Sequence, residues 1–294
     1  MTTTESYDFW PPFIFNSWPP LISASLGDSE NRLLFFREHF AEHLVNEELP
    51  TLSFHCLKNE ENKWFTCSEK SSSSYNGDLC DDLKEITLNS FPNKIRVTNL
   101  LEIDSGNISQ LLINEKLESN VGTLKIWDRT ISVHQLKLIG SSVKTCELFD
   151  VVVKSVDKND EASLSEIIQC FPLLENFTFS GGSVSVPVSS KTVKELLKIP
   201  HFFNIKYFFL QNISDEFDID EFYHLFLMEN KTMDVKLSFD SNISEDFKQK
   251  LTTIVNEILE SETTDFWPPM FYGKFGEIKN KLSAARVRYC QFKN

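Results

Sequence analysis

Residues 121–126 read VGTLKI, and the same apolar-x-x-apolar-x-apolar pattern returns as VKTCEL at 143–148, LENFTF at 174–179 and IKYFFL at 205–210. A looser copy lies around Leu237. The middle anchors of these copies are Leu124, Cys146, Phe177, Phe208 and Leu237, with spacings of 22, 31, 31 and 29 residues. These spacings are close to the period of leucine-rich repeats, roughly 20–29 residues.

A second signal recurs between the anchors: a short oxygen-bearing residue followed three positions later by Glu or Gln. The pairs are Ser132–Gln135, Ser163–Glu166, Thr192–Glu195 and Asp218–Glu221. Such capping boxes begin helices, because each side chain of the pair accepts a backbone N–H that the helix leaves without a partner. Pro172 and Pro200 would end two of the short helices that follow. The order strand, turn, helix and stop therefore predicts one coil of a repeating unit.

These units predict an α/β fold, namely a leucine-rich-repeat-like solenoid with a parallel sheet over residues 51–262. A single unit cannot bury its apolar face alone, whereas stacked units share one core. The alternative is a doubly wound α/β domain, which also alternates strands with helices. No glycine-rich phosphate loop follows a strand, which favours the solenoid. Residues 51–58 and 63–69 predict a hairpin, 95–103 a further strand, and 244–262 a closing helix.

Charge and composition restrict the partners that we expect. The net charge of −14 repels phosphate backbones and anionic lipids, so neither a nucleic acid nor a membrane is expected to bind. Residues 273–294 are basic instead, and would be a tail for an anionic partner or a terminal segment docked on the acidic body. The six cysteines form no C-x-x-C pair and no export signal is recognised, so we expect free thiols and a cytoplasmic or nuclear protein.

No catalytic signature is found in the chain. It contains no G-x-S-x-G, H-E-x-x-H or G-x-x-x-x-G-K-[ST] motif. His39 and His43 have the spacing of two helical metal ligands, but no third ligand accompanies them. We therefore expect a protein that is not an enzyme and that uses neither a metal nor a cofactor.

The function is then expected on the inner face of the predicted sheet, which displays the residues between and just after the anchors. These residues are Lys125, Trp127, Glu147, Phe149, Thr178, Phe209 and Gln211. Three of them are aromatic, more than a solvated sheet surface requires, so the set predicts a protein- or peptide-binding patch. The alternative is that a neighbouring loop or the segment after residue 262 covers the rings.

One pentapeptide occurs near both ends of the chain. Residues 7–15 read YDFWPPFIF and residues 264–272 read TDFWPPMFY, while SWPP recurs at 17–20. Trp followed by two prolines is stiff and extended, with a large aromatic side chain. The segments are either linear motifs for a groove on a partner or aromatic segments that pack on the sheet.

Residues 19–50 combine a proline start, an apolar helix, an Asp-containing turn and an Arg-bearing helix. The positions that carry this pattern are Pro19, Pro20, Leu21, Leu26, Leu33, Phe36, Arg37 and Phe40. The segment resembles a degenerate F-box, and the chain as a whole resembles the nematode F-box family, in which an F-box precedes a repeat-like F-box-two-homology domain. The resemblance implies that these residues bind the adaptor of an SCF-type ubiquitin ligase and that the protein recognises substrates or acts as a scaffold.

The alternative is a binding or scaffold protein without a ligase link, whose N-terminal helices only cap the solenoid. Four segments follow from these patterns. They are an N-terminal extension at 1–18, the F-box-like segment at 19–50, the solenoid at 51–262 and a basic tail at 263–294.

Overall fold

The fold is mixed α/β, with helices and one mostly parallel sheet of eleven strands. The computed structural model of the chain describes residues 52–60, 63–67, 83–87, 94–104, 117–155, 160–180, 188–228, 230, 232–260, 266–274 and 276–293. The predicted extension at 1–18 and the F-box-like segment at 19–50 lie outside the described residues.

The strands follow one another across the sheet almost in chain order. They are β1 (Leu52–Glu60), β2 (Lys63–Cys67), β3 (Lys84–Ile86), β4 (Ile95–Ile103), β5 (Leu117–Ser119), β6 (Thr123–Ser132), β7 (Thr145–Lys154), β8 (Asn176–Ser180), β9 (Tyr207–Ile213), β10 (Asp234–Phe239) and β11 (Met270–Tyr272). The order is β11-β10-β9-β8-β7-β6-β4-β1-β2-β3, with β5 beside β4. Among these strands, only β1–β2 and β2–β3 pair antiparallel, so the predicted hairpin is confirmed.

Short helices connect the strands. They are α1 (Val133–Gly140), α2 (Leu164–Ile168), α3 (Thr192–Leu196), α4 (Ile219–Phe222), α5 (Glu245–Glu260) and α6 (Gly276–Lys293). A 3₁₀ turn (Pro200–Asn204) precedes β9, and a π-helical turn (Tyr223–Leu227) follows α4. The segment that we assigned to a basic tail thus contributes the strand β11 and the helix α6. No helix in the described part of the chain is long and apolar enough to cross a membrane.

Equivalent backbone hydrogen bonds fix how each unit joins the one before it. The N–H of Lys144 donates to the carbonyl of Gly122 at 2.9 Å, and Glu175 donates to Lys144 at 2.8 Å. The same bond recurs from Lys206 to Glu175 at 2.7 Å and from Asp234 to Lys206 at 2.8 Å. Because parallel strands need a crossover between them, one bond at the start of each strand sets its register on the preceding strand.

The predicted anchors lie side by side in this register. Leu124 pairs with Cys146, Cys146 with Phe177, and Phe177 with Phe208, and all four are fully buried. The fifth anchor was wrong by two residues, because Phe208 pairs with Val235 while Leu237 pairs with Leu210. Val235 and Leu237 both fit the alternating apolar pattern of β10. The start of β10 at Asp234 decides which of the two pairs with Phe208.

Phenylalanine fills the space between the sheet and the helices. The ring of Phe208 lies 5.8 Å from that of Phe177 and 5.6 Å from that of Phe202. Phe202 in turn lies 4.6 Å from Phe226, and these four side chains are fully buried. Each such side chain contributes roughly 1.5–3 kcal/mol through burial. The aromatic contacts run from one unit to the next and so join neighbouring units into one core.

The helix starts agree with the predicted capping boxes in part. Both reciprocal bonds form at Ser132–Gln135 and at Ser163–Glu166. Asp218 accepts from the backbone of Glu221, whose side chain pairs instead with Lys194 at 3.1 Å. The predicted box at Thr192–Glu195 was wrong, because α3 begins one residue earlier than the box requires, so that Thr192 is the first helical residue and not the cap. The hydroxyl of Thr192 accepts from the N–H of Ser189 at 2.7 Å.

The cysteines divide by burial and bonding. Cys56, Cys146 and Cys170 are buried free thiols and Cys290 is an exposed one. Burial raises the pKa of Cys170 to about 11. Cys67 is disulfide-bonded, so the expectation of free thiols was wrong for this residue.

Among the residues that the structure describes, three other than glycine have left-handed backbone conformations, with φ of 47° at Asp128, 56° at Asp150 and 62° at Asn212. Each stands four positions after an anchor, in β6, β7 and β9 respectively. Asp and Asn tolerate this conformation better than most side chains do. The three residues occupy equivalent positions in their strands, so β6, β7 and β9 share the same local departure from regular strand geometry.

The irregularity reverses the alternation of buried and exposed residues. In β7, Leu148 is buried two positions before Asp150, whereas Val151 is buried immediately after it. Ladder pairing passes from Trp127–Phe149 directly to Arg129–Val151, so β6 and β7 both carry one extra residue there. A shared bulge of this kind bends both strands while keeping them paired.

We predict that the bulge in β7 tolerates glycine but not a β-branched residue. Asp150→Gly should change the free energy of unfolding by less than about 1 kcal/mol, because glycine adopts positive φ readily. Asp150→Val should lower it by about 1–2 kcal/mol, because a side chain branched at Cβ crowds the backbone at positive φ more than that of Asp does. Urea unfolding measures both. Asp104→Val, at an exposed position without positive φ, is the control and should change stability little; equal losses at the two sites would contradict the bulge.

A glycine permits close contact between two neighbouring units. Gly140, the last residue of α1, is buried, and a Cβ added to it would lie 2.2 Å from the carbonyl oxygen of Cys170. The same Cβ would lie 2.8 Å from the ring of Phe171. The backbone oxygen cannot move away without shifting the turn after α2, so the end of α1 and that turn would have to separate.

We therefore expect Gly140→Ala to destabilise the protein by about 1–3 kcal/mol through overpacking. Gly276→Ala is the matched control, since nothing lies within 4 Å of a Cβ added at Gly276. That substitution should change the stability by less than about 1 kcal/mol. The midpoints of urea unfolding distinguish the two variants, and equal midpoints would show that α1 does not pack against the turn as described.

Candidate partner-binding face

The residues between the buried anchors form rows across the opposite face of the sheet, because side chains alternate along a strand. One row joins Lys58, Glu102, Lys125, Glu147, Thr178, Phe209 and Lys236 in register. The next row contains Trp127, Phe149, Ser180 and Gln211. These two rows are called the ladder face below. Every inner-face residue predicted from the sequence belongs to one of them.

The charged side chains of the ladder face neutralise one another in pairs. The ammonium group of Lys58 lies 2.9 Å from a carboxylate oxygen of Glu102, and that of Lys125 lies 3.7 Å from Glu147. The hydrogen bond to Glu102 raises the pKa of Lys58. Pairs of this kind contribute about 0.2–1 kcal/mol each when they are exposed. Because each of these Lys side chains lies beside a Glu, the charges of the two pairs cancel, although the protein as a whole is acidic.

Aromatic rings stand beside the charged pairs. The rings of Trp127 and Phe149 are stacked, with centroids 5.7 Å apart and planes inclined by 20°. On the other side, Phe209 lies 6.2 Å from the ring of Tyr272 in β11. Trp127, Phe149 and Phe209 are all partly exposed, so the described residues do not cover them completely.

A strip of small polar residues separates the two aromatic groups. Thr178 and Ser180 of β8 are only 8% and 9% exposed, and they pair in register with residues of β7 and β9. Phe149 pairs with Ser180, while Thr178 pairs with Phe209. The centre of the ladder face is therefore a strip of largely buried, hydroxyl-bearing side chains that lies between the two aromatic groups.

Acidic side chains follow the aromatic pair directly. Asp128 and Asp150, the two bulge residues, are exposed and come immediately after Trp127 and Phe149. Asp128 and Asp150 were not predicted as site residues, and neither were Glu102 and Lys58 at the other end of the row. The available signal was an Asp or Asn four positions after an anchor, at 128, 150 and 212, with Gly181 in the corresponding position after Phe177.

Metal-ligating groups do not cluster within the described part of the chain, where no three His, Cys, Asp or Glu side chains come together as a candidate site. Two buried polar atoms lack a hydrogen-bond partner among the described residues, Oδ1 of Asn59 and Oε2 of Glu221. They belong to β1 and α4, at separate positions in the fold. Neither lies in the two rows of the ladder face.

The ladder face therefore combines three kinds of feature. It joins a stacked aromatic pair, a polar strip and neutralised charge across five neighbouring parallel strands, β6 to β10. Comparison of the chain with family models, with curated proteins and with solved structures found no match.

Proposed function

We propose that this chain is a protein-interaction protein that binds its partner on the ladder face. The single observation that carries the proposal is the stacked and partly exposed pair Trp127–Phe149. Aromatic residues dominate binding energy at interfaces because they bring large contact area at a small entropic cost. The proposed activity is binding without catalysis.

We also propose that the described array is a leucine-rich-repeat-like solenoid. The support is the equivalent hydrogen bond that begins β7, β8, β9 and β10. The strand order agrees, since from β6 onward each strand pairs with the next one in the chain. A doubly wound sheet would instead reverse its strand order at a switch point. Solenoids bind partners on extended strand surfaces, as proposed for the ladder face.

The resemblance of residues 19–50 to an F-box extends the proposal to a ligase. In this reading the F-box-like segment binds the adaptor of an SCF-type ubiquitin ligase and the ladder face holds the substrate. The support is the residue pattern Pro19, Pro20, Leu21, Leu26, Leu33, Phe36, Arg37 and Phe40, together with a repeat-like domain downstream. The alternative remains a binding or scaffold protein without the ligase, and the ladder face would serve either one.

The first prediction tests the ladder face. Trp127→Ala combined with Phe149→Ala should lower capture of the physiological partner at least about tenfold, because loss of aromatic anchors commonly costs 2 kcal/mol or more. Capture by tagged full-length protein, with quantitative mass spectrometry of the bound proteins, measures the change.

The matched control removes apolar side chains elsewhere. Leu138 and Leu173 are 50% and 53% exposed and lie outside the two rows. Leu138→Ala with Leu173→Ala removes comparable exposed surface, and it should leave the captured set unchanged. Equal capture by the wild type and both double variants would contradict binding on the ladder face.

The second prediction tests the link to the ligase. Purified adaptor subunit should be captured by the wild type, and Leu33→Ala with Phe36→Ala should abolish capture because both residues belong to the apolar sequence pattern that resembles an F-box. The Trp127→Ala, Phe149→Ala variant should bind the adaptor normally. A wild type that fails to capture the adaptor, under conditions in which an authentic F-box protein succeeds, would exclude the ligase and favour the alternative.

A further inference from the structure

The C-terminal copy of the repeated pentapeptide leads directly into β11, which lies at one edge of the sheet. After the Phe-Trp-Pro-Pro residues 266–269, β11 pairs in parallel with β10, with Met270 beside Lys236 and Phe271 beside Leu237. Phe266 and Phe271 are buried, as are both prolines. Of the two alternatives left open by the sequence, packing on the sheet is therefore observed for this copy.

Trp267 is held by specific polar contacts. Its indole N–H donates to Oδ1 of Asp234 at 3.1 Å, and the guanidinium group of Arg286 lies 4.9 Å from the centre of its ring. Tyr289 meets the same ring edge to face at 5.2 Å. A Trp in this position is thus recognised by a hydrogen bond, a cation–π contact and an aromatic contact.

Arg286 also forms a hydrogen bond with the backbone of the pentapeptide. Its Nε donates to the carbonyl oxygen of Pro268 at 2.8 Å, and its Nη2 donates to Oδ1 of Asp234 at 2.6 Å. Pro268 is buried, so its carbonyl oxygen would lack a hydrogen bond without this donor. We use the name acceptor for Asp234, Arg286, Tyr289 and the backbone edge of β10 together.

The acceptor is built from elements on both sides of the pentapeptide. Asp234 begins β10, whereas Arg286 and Tyr289 belong to α6, which packs against α5 as well as against β11. Ile278 and Leu282 of α6 are buried. Because α6 packs against α5 as well, the position of Arg286 and Tyr289 does not depend on the contact with β11 alone.

Residues 7–15 carry the same recognition elements as 264–272. Asp8, Phe9, Trp10, Pro11 and Pro12 repeat the sequence at 265–269 without change, and three apolar residues follow in both copies. The third Trp-Pro-Pro, at 18–20, lacks both the preceding Asp-Phe and the aromatic residues after the prolines. Only the copy at 7–15 therefore also has a Phe before the Trp, where the buried Phe266 lies in the C-terminal copy, and three apolar residues after the prolines.

We propose that the acceptor binds Phe-Trp-Pro-Pro strands, and that residues 7–15 of a second copy of this chain are its intermolecular occupant. They would add to β10 in place of 266–272, in the manner of strand addition and of domain exchange. The resident copy has the advantage of being in the same chain. Exchange between molecules should therefore be weak in the wild type and stronger when the resident copy is weakened.

The experiment uses the full chain and a labelled synthetic peptide of residues 5–16. Trp267→Phe removes the indole N–H that donates to Asp234 but keeps an aromatic side chain at the edge of the sheet, so the fold should persist. Fluorescence anisotropy should show the peptide binding this variant at least about tenfold more tightly than the wild type, as expected for loss of one hydrogen bond to a charged group. Circular dichroism verifies folding.

Two controls test recognition by the acceptor. The same peptide with Trp10→Ala should bind at least about tenfold more weakly, because it lacks the ring that Asp234 and Arg286 recognise. A peptide of residues 16–27 keeps the ring of Trp18 but has Ser17 where the C-terminal copy has the buried Phe266, and it should also bind at least about tenfold more weakly. Adding Arg286→Met to the Trp267→Phe variant should likewise abolish binding. Equal binding of all three peptides, or peptide binding that survives Arg286→Met, would overturn the proposal.

Analytical ultracentrifugation then tests whether residues 7–15 of a second copy of the chain supply the strand that pairs with β10. The Trp267→Phe variant should self-associate with rising protein concentration, and the Trp10→Ala, Trp267→Phe double variant should not. Trp18→Ala in the same background is the matched control and should self-associate as the single variant does. A folded Trp267→Phe variant that neither binds the peptide nor self-associates at concentrations near 1 mM, the scale of a tethered segment, would overturn the proposal as well.

Discussion

Parallel pairing between consecutive strands is the constraint on which the remaining structure depends. A parallel strand cannot follow its neighbour through a tight turn, so each unit must cross over before the chain returns to the sheet edge. Here the crossover ends with one backbone bond to the preceding unit, as from Glu175 to Lys144. That bond aligns the buried anchors, and the aromatic contacts between Phe177, Phe208 and their neighbours then extend one core across the units.

The ladder face is a consequence of the same alignment. Because the anchors are in register, the residues between them are also in register, and Trp127 necessarily lies beside Phe149. Repetition thus turns isolated side chains into rows, and a row of partly exposed aromatic residues is a surface that a partner can contact along its length. The bulges at Asp128 and Asp150 keep the two strands paired where they bend, so the aromatic pair stays together at the bend.

The sequence predicted the mostly parallel α/β architecture, the hairpin, four of the five anchors and two complete capping boxes, because each leaves a periodic signal. The anchor at Leu237 was misplaced because β10 satisfies the alternating pattern in two phases, and pairing with β9 selects one of them. The box at Thr192 was wrong because the helix begins at Thr192 and the hydroxyl of this residue accepts from Ser189. The rows of the ladder face followed from the repeat. Two sets of contacts could not be predicted, because they join residues that are distant in the chain and leave no local pattern. They are the ion pair of Lys58 with Glu102 and the contacts of Trp267 with Asp234 and Arg286.

Spin labels at positions 125 and 236, in a chain with the exposed Cys290 replaced by Ser, test the ordered stacking most directly. Four strand spacings separate these residues along one row, so pulsed electron resonance should give a single narrow distribution near 20 Å, at about 4.8 Å per strand. A broad distribution, or one centred beyond about 35 Å, would mean that the units do not pair in chain order. The ladder face, which exists only through that order, would then be absent.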